Sequence, residues 1–198
     1  MRKAGSTRDE TWRAIRAAGI RLIADRGYEA ASLRLLAREV GVQAGSLYNH
    51  FGSKQDFLAR LLKEIMQDLL AELDAAIAAD ADPLAQLRAF VALHIRFHTA
   101  RKDEVFIGNM ELRSLTRANY KAVVALRSAY EDRLQGIIDR GLKAEKFGVL
   151  DSRLAAFALI AMLTGVCNWY DPRGRFSQGQ LIDIYTGYAQ QFLGYFGR

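Results

Sequence analysis

The chain has 198 residues, of which 51% are hydrophobic and 25% charged, with a net charge of +6 and one cysteine. This composition is typical of a folded chain with one or two domains and argues against a disordered segment. A single cysteine excludes an intrachain disulfide and a multi-cysteine zinc site. The N-terminal residues contain no apolar signal-peptide core, so we expect a cytoplasmic protein.

The positive charge is concentrated in the first third of the chain. Residues 1–60 contain 11 Lys and Arg against 6 Asp and Glu, whereas residues 61–198 contain 17 against 16. This asymmetry indicates a segment that binds nucleic acid or another polyanion. A basic surface that is simply well solvated is the alternative.

Helical periodicity without strand-type turn signals predicts an all-α fold with about nine helices. The first helix is expected from about residue 7 to Arg26, with Gly27 ending it. Ser32 is placed to cap a second helix, LRLLAREV, which stops at Gly41.

A short segment, QAGSLYNH (residues 43–50), follows and contains little apolar surface. Two helices joined by a tight glycine turn form a helix-turn-helix unit, whose second helix enters the major groove of DNA. Val42, Leu47 and Phe51 are expected to anchor this second helix from behind, which leaves its other side chains facing outward. The segment is polar, on this hypothesis, because its partner is double-stranded DNA. We call residues 43–50 the reading segment.

The predicted DNA contacts are of two kinds. Gln43 can hydrogen-bond a base edge, and Ala44 can touch a thymine methyl group. Tyr48, His50 and Lys54 are expected along the phosphates, and Lys54 stands in the first turn of the next helix, where free N–H groups also favour phosphate. The full set of predicted DNA-binding residues is Ser32, Arg34, Gln43, Ala44, Gly45, Ser46, Tyr48, Asn49, His50 and Lys54.

The remaining elements follow from caps and breaks. Further helices are predicted from Ser53, from Asp82-Pro83, over about 103–114, over about 116–145, over 151–170 and from Ser177. The apolar run from Leu154 to Tyr170 falls short of a membrane span. It is interpreted as a helix buried on most sides, and no membrane association is expected.

The string GYEAASLRLLAREVGVQAGSLYNHFGSKQDFL resembles the DNA-binding segment of the TetR family of transcriptional regulators. Leu35 stands where an acidic residue is frequent, and Gln43 replaces a frequent Ser or Thr cap, which leaves the operator sequence unpredicted. The resemblance implies a homodimer that binds a palindromic operator. On this basis residues 1–52 are predicted as the helix-turn-helix DNA-binding domain, a three-helix bundle, and residues 53–198 as the ligand-binding and dimerisation domain.

The apolar helix over 151–170 and the aromatic last helix carry more apolar surface than one neighbour can bury. We predict that both pack against their copies in a homodimer, the alternative being that they fill the core of one subunit. An apolar effector pocket is also expected, although aromatic residues at helical spacing equally suit a core. The predicted ligand-binding residues are Phe97, Phe106, Met110, Arg113, Phe157, Trp169 and Tyr170.

The stretches NMELRSLTRANY and MLTGVCNWYDPRGRFSQGQLIDIY resemble TetR-family members associated with fatty-acid, steroid or aromatic acyl-CoA metabolism. This resemblance implies an effector such as an acyl-CoA thioester, with its phosphates on basic residues. The candidates for those phosphates are Arg101, Lys102, Arg113, Arg173 and Arg175. The predicted function is that of a repressor released by its effector; a transcriptional activator or a ligand-independent DNA-binding regulator is the alternative.

Catalytic and metal-binding patterns are not found. The sequence has no glycine-rich phosphate loop and no nucleophile–His–acid set, so we expect no enzyme and no cofactor. His94 and His98 have the i, i+4 spacing that two metal ligands can share, but no third ligand is evident. Pocket lining or hydrogen bonding in the core is the preferred interpretation of this pair.

Overall fold

The computed structural model describes residues 4–195, and all regular elements in this range are helical. A 3₁₀ helix, Glu111–Ser114, follows α6. The α-helices are α1 (Ala4–Ala30), α2 (Leu33–Val40), α3 (Ala44–Leu47), α4 (Lys54–Ala76), α5 (Pro83–Ala100), α6 (Lys102–Met110), α7 (Arg117–Lys143), α8 (Ser152–Thr164), α9 (Val166–Trp169) and α10 (Gln178–Phe192). Since α8 and α9 together form the helix predicted over 151–170, the all-α fold with about nine helices is confirmed over the described residues.

The chain forms two compact units. The first contains the chain up to Met66 together with Asp103–Val124, and the second contains Gln67–Lys102 together with the chain from Ala125 onward. These units follow packing and divide both α4 and α7. The functional boundary at residue 52 therefore stays a prediction.

The core of the first unit lies between α1, α2 and the beginning of α4. Ile15, Leu36 and Leu47 are each at most 1% exposed. Gly19 lets α1 approach α4 closely, because a Cβ at this position would lie 2.3 Å from Cζ of Phe57. Helices α1 and α4 thus pack closely at Gly19, while α2 packs against α1 and α3 packs against α2.

The first helix leaves helical geometry where the sequence predicts its end. Gly27 has φ 76° and ψ 158°, a conformation that side chains with a Cβ rarely adopt. One further turn follows, closed by the hydrogen bond from Ala31 N to Gly27 O at 3.2 Å. Ala31 is buried, so this turn directs the chain into α2.

The second unit is built around α5. Leu87, Phe90, Val91 and Ile95 on this helix are fully buried, and α8, α9 and α10 pack against it. Ser177 caps α10 as predicted, through a reciprocal pair of hydrogen bonds with Gln180.

The apolar helix over 151–170 differs from its prediction in two respects. Gly165 divides it into α8 and α9, and only 28% of the window Ser152–Trp169 is buried, so the prediction of a helix buried on most sides is wrong. The cause is that apolar residues surround the helix while α5 covers one side of it, which leaves Leu154, Phe157 and Trp169 exposed. By length and composition alone this window is also sufficient to span a membrane, contrary to the expectation from the sequence.

Candidate nucleic-acid interface

The turn between α2 and α3 is fixed by backbone hydrogen bonds. Ser32 caps α2, since its Oγ accepts a hydrogen bond from Leu35 N at 3.2 Å. At the other end, Gly41 adopts φ 74°, and Val42 N donates to Ala37 O at 3.0 Å. This glycine-terminated motif closes the end of α2 and sets the direction of α3.

The reading segment contains a short helix followed by tight turns. After the four residues of α3, Tyr48 N donates to Gly45 O at 3.2 Å and His50 N donates to Leu47 O at 2.9 Å. Gln43 occupies the N-cap position with extended backbone, and within the described chain its side chain makes no capping hydrogen bond. Its amide group therefore stays available to a partner.

The reading segment presents polar and small residues to the outside. Leu47 is fully buried and Phe51 is 6% exposed, so both anchor the segment from behind. The ring of Tyr48 is 57% exposed. The exposed members are Gln43, Ala44, Gly45, Ser46, Tyr48 and Asn49.

Two predicted DNA-binding residues flank the reading segment and differ in their surroundings. Arg34 is exposed in the first turn of α2. Lys54 is half-buried: its Nζ donates to Glu29 O at 3.0 Å and lies 4.3 Å from the ring centroid of Tyr28. An ammonium group has three N–H donors, so Lys54 retains donors for a phosphate.

His50 is more enclosed than its neighbours. Its ring stacks on that of Trp12, with centroids 6.2 Å apart and an interplanar angle of 24°. Burial lowers the pKa of His50, and the positive charges of Arg8 and Arg60 lower it further. An imidazole can hydrogen-bond a phosphate through a ring nitrogen.

Two arginines outside the helix-turn-helix bind the end of the reading segment, and sequence reasoning missed both. Arg8 Nη2 donates to Asn49 O at 2.7 Å, and Arg60 Nη1 donates to His50 O at 3.1 Å. No periodicity relates residues 8 or 60 to residue 50, so the sequence contained no local signal for these contacts.

The predicted ligand-binding residues fall in both units. In the first unit Phe106, Met110 and Arg113 are exposed. In the second unit Phe97 and Tyr170 are buried, whereas Phe157 and Trp169 are exposed.

The candidate phosphate-binding cations of the second unit already have partners in the chain. Arg101 lies 4.4 Å from the ring centroid of Phe97 and donates to Asp68 Oδ2 at 2.6 Å. Lys102 donates to the carbonyl oxygen of Tyr170. Arg173 pairs with an aspartate two residues before it, and Arg175 lies over a neighbouring phenylalanine ring.

A cleft of about 450 Å³ lies elsewhere in the second unit. Its cations are paired: Arg133 binds Asp74 at 2.9 Å, and Nε and Nη2 of Arg140 share the Oε1 of Gln86. The sequence did not indicate this cleft, whose lining residues are Leu73, Asp74, Ile77, Ala79, Gln86, Asp132, Arg133, Gly136, Ile137 and Arg140.

His94 and His98 form a stacked, buried pair rather than a pair that converges on one point. Their rings lie 3.7 Å apart and are nearly parallel. The nitrogens of His94 contact Tyr130 OH at 2.9 Å and Thr164 Oγ1 at 3.1 Å, and His98 Nδ1 donates to His94 O at 2.8 Å. Burial lowers the pKa of His98 to about 4 and that of His94 well below its usual value. In the part of the chain that the structure describes, no three His, Cys, Asp or Glu side chains cluster as metal ligands.

Known proteins resemble the chain in both sequence and structure. The HTH-type transcriptional repressor KstR2 of Rhodococcus jostii (strain RHA1) is 28% identical over 155 residues, which cover 77% of this chain and 76% of the repressor. A crystal structure of AibR with isovaleryl coenzyme A and operator DNA superposes with a TM-score of 0.82 at 26% identity, over 90% of this chain and 97% of AibR. A tetR-family regulatory protein from Rhodococcus RHA1 shares the fold, with a TM-score of 0.88 at 24% identity over 94% of this chain and 98% of that one.

Two family descriptions match separate parts of the chain. Residues 15–61, which contain the helix-turn-helix, match the bacterial regulatory proteins of the tetR family. Residues 80–193 match the tetracyclin repressor-like C-terminal domain, and this second match alone exceeds half of the chain. The sequence resemblance is thus confirmed, and the chain belongs to the TetR family of ligand-responsive, DNA-binding transcriptional regulators.

Proposed function

We propose that this protein is a repressor that binds a palindromic DNA operator as a homodimer and is released by a small apolar or acyl-CoA-type effector. The observation that carries the proposal is the reading segment, where six exposed small or polar residues surround the fully buried Leu47. Small residues allow the backbone of a helix to approach base edges, and Gln43 offers a free amide to them.

The homodimer is supported by an exposed apolar surface in the second unit. Leu154 and Phe157 on α8, with Tyr188 and Phe192 on α10, are between 37% and 64% exposed. Apolar side chains at this density on two helices are typical of a surface that a second copy covers. We call these four residues, with Trp169, the apolar face.

Repression requires that the effector change the arrangement of the two reading segments. A dimer on DNA holds its two reading helices about 34–36 Å apart. An effector that binds better to a conformation with another spacing shifts the population away from DNA, since only a difference in affinity moves such an equilibrium. Helix α4 begins beside the reading segment and continues into the second unit, which makes it our candidate for carrying this change.

Two relatives and the chemistry of the candidate residues indicate the class of effector. KstR2 is a repressor, and AibR was crystallised with isovaleryl coenzyme A. An acyl chain suits the buried apolar candidates of the second unit, Phe97 and Tyr170. Phe157 and Trp169 belong to the apolar face, and Phe106, Met110 and Arg113 lie exposed in the first unit. The proposed protein works in the cytoplasm without a cofactor and catalyses no reaction.

The first experiment selects DNA from a randomised duplex library at physiological salt and sequences what the protein retains. We expect a two-fold symmetric motif with half-sites about one helical turn apart. If the protein retains all DNA sequences equally and loses them together as the salt concentration rises, it binds through attraction to phosphates alone, which would contradict the proposal. Isovaleryl coenzyme A is then titrated against the selected duplex, with free coenzyme A as control; we expect release by the thioester only.

A further inference from the structure

The conformation of the reading segment depends on contacts from outside it. Helix α3 has four residues, and helices this short are unstable in water by themselves. Gly45, Ser46 and Asn49 are also poor helix formers. Burial of Leu47 fixes the middle of the segment, so its C-terminal end needs a separate support.

Two guanidinium groups supply that support. Arg8 binds the carbonyl oxygen of Asn49 at 2.7 Å, and Arg60 binds that of His50 at 3.1 Å. Both carbonyl groups lie in the turns after α3, and a guanidinium group that satisfies such a carbonyl oxygen holds its peptide unit in place. Both bonds consume donors that would otherwise be free for phosphate.

Arg60 is itself held in place by Trp12 and Glu64. Its guanidinium carbon lies 3.5 Å from the ring centroid of Trp12, and its Nε donates to Glu64 Oε1 at 2.9 Å. The other carboxylate oxygen of Glu64 accepts a hydrogen bond from Trp12 Nε1 at 3.0 Å. Trp12 is 8% exposed and stacks on the ring of His50. We call Trp12, Arg60 and Glu64 the indole platform.

We propose that the indole platform is a positioning device for operator recognition: it sets the conformation of His50, at the C-terminal end of the reading segment, without touching DNA. The ring of Trp12, on α1, contacts both His50 and the guanidinium group of Arg60, on α4. A displacement of α4 against α1 therefore breaks the hydrogen bond from Arg60 to the carbonyl oxygen of His50. The shape of the reading segment then responds to α4, in addition to the spacing between two reading segments. This inference rests on the proposed function and specifies how α4 acts on the DNA-binding site.

The test compares Arg60→Gln and Trp12→Phe with the control Lys63→Gln, which removes a charge one turn further along α4. Affinity is measured over a range of salt concentrations for the duplex selected by the wild-type protein and for a scrambled duplex. We expect both variants to lose about tenfold in affinity for the selected duplex, the value of one charge-assisted hydrogen bond. Affinity for the scrambled duplex and the salt slope should match those of Lys63→Gln. Arg60→Lys, which keeps the charge and places N–H donors on a single nitrogen, should restore part of the loss.

Results that would contradict the positioning role differ from a result that would contradict the proposed function. Equal losses on both duplexes with a salt slope lower by about one would make Arg60 a phosphate contact and overturn the proposal. Unchanged affinity for the selected duplex in both variants would also overturn it. Trp12→Phe retains an aromatic ring beside Phe51 and Phe57, so it carries the test if Arg60→Gln does not fold. A wild-type protein that selects no duplex would instead contradict the proposed function.

Discussion

Tyr48 stands in the middle of the exposed side of the reading segment, with 57% of its surface accessible. A ring so exposed contributes little to folding, so its removal separates recognition from stability. We expect Tyr48→Ala to weaken operator binding by about tenfold and to change the free energy of unfolding by less than about 0.5 kcal/mol. Fluorescence anisotropy and urea unfolding measure the two quantities. Tyr120→Ala, which removes another exposed ring from the first unit, should change neither, and a Tyr48→Ala protein with full affinity would contradict the assigned surface.

Lys54 and Arg34 offer a matched pair of cations at the same interface. Lys54→Ala should lower both operator affinity and stability, the latter by about 0.5–1 kcal/mol, because Lys54 also binds Glu29 O and the ring of Tyr28. Arg34 is exposed, so Arg34→Ala should lower affinity alone. Each change should reduce the salt slope by about one. Equal stability of the two variants would argue against a structural role for Lys54.

The stacked histidines make stability depend on pH. His98 has a pKa of about 4 in the folded chain against about 6.5 when unfolded, so between these values the unfolded state binds more protons. The free energy of unfolding therefore falls as the pH drops through this window, by about 2 kcal/mol for His98 at about pH 5. Urea unfolding at fixed protein concentration, at about pH 7 and about pH 5, should show this loss. His98→Gln should show a smaller loss; the same loss in both proteins would contradict the assignment.

At the scale of elements, the glycine that ends α2 and the glycine within α3 have opposite effects on stability. Gly41 adopts φ 74°, so Gly41→Ala should cost about 1–2 kcal/mol through its backbone, although in the described structure no atom lies within 4 Å of the added Cβ. Gly45 is helical and equally open, so Gly45→Ala should raise stability by up to about 1 kcal/mol. Urea unfolding of both variants checks the signs. A destabilised Gly45→Ala protein would show that α3 is not helical in solution.

The sequence predicts the start of a helix well where a single capping residue determines it. Ser32, Ser53, Asp82, Asp151 and Ser177 each accept the capping hydrogen bond that their position in the sequence predicts. The division between α8 and α9 was not predicted. Gly165 keeps helical torsion angles there, φ −56° and ψ −24°, so no positive-φ signal marks the break.

Contacts between residues far apart in the sequence could not be predicted, because they depend on how the helices pack. The exposed set of the reading segment follows from helical spacing around Leu47. The bonds from Arg8 to Asn49 and from Arg60 to His50 depend on how α1 and α4 cross, which no local pattern encodes. Likewise, composition predicted apolar pocket candidates but could not separate the buried Phe97 from the exposed Phe106.

At the scale of the whole molecule, the apolar face should control assembly. Leu154→Arg combined with Phe192→Glu places charges where we expect a second copy, so the protein should become monomeric and lose most of its affinity for a palindromic duplex. Light scattering coupled to size exclusion measures the mass. Leu150→Arg, which adds the same charge at an exposed leucine before α8, should leave a dimer. A double variant that stays dimeric would place the interface elsewhere.

The chain contains two tryptophans, and they lie in different units and different surroundings. Trp12 is enclosed by aromatic rings and a guanidinium group, whereas Trp169 is 54% exposed on the apolar face. Indole emits at shorter wavelength when water is excluded, so the two rings provide separate optical signals. Dilution that separates subunits should expose Trp169 and shift its emission to longer wavelength. Binding of DNA at the reading segment should instead alter the emission of Trp12. Assembly and DNA docking can thus be followed independently in one unlabelled sample.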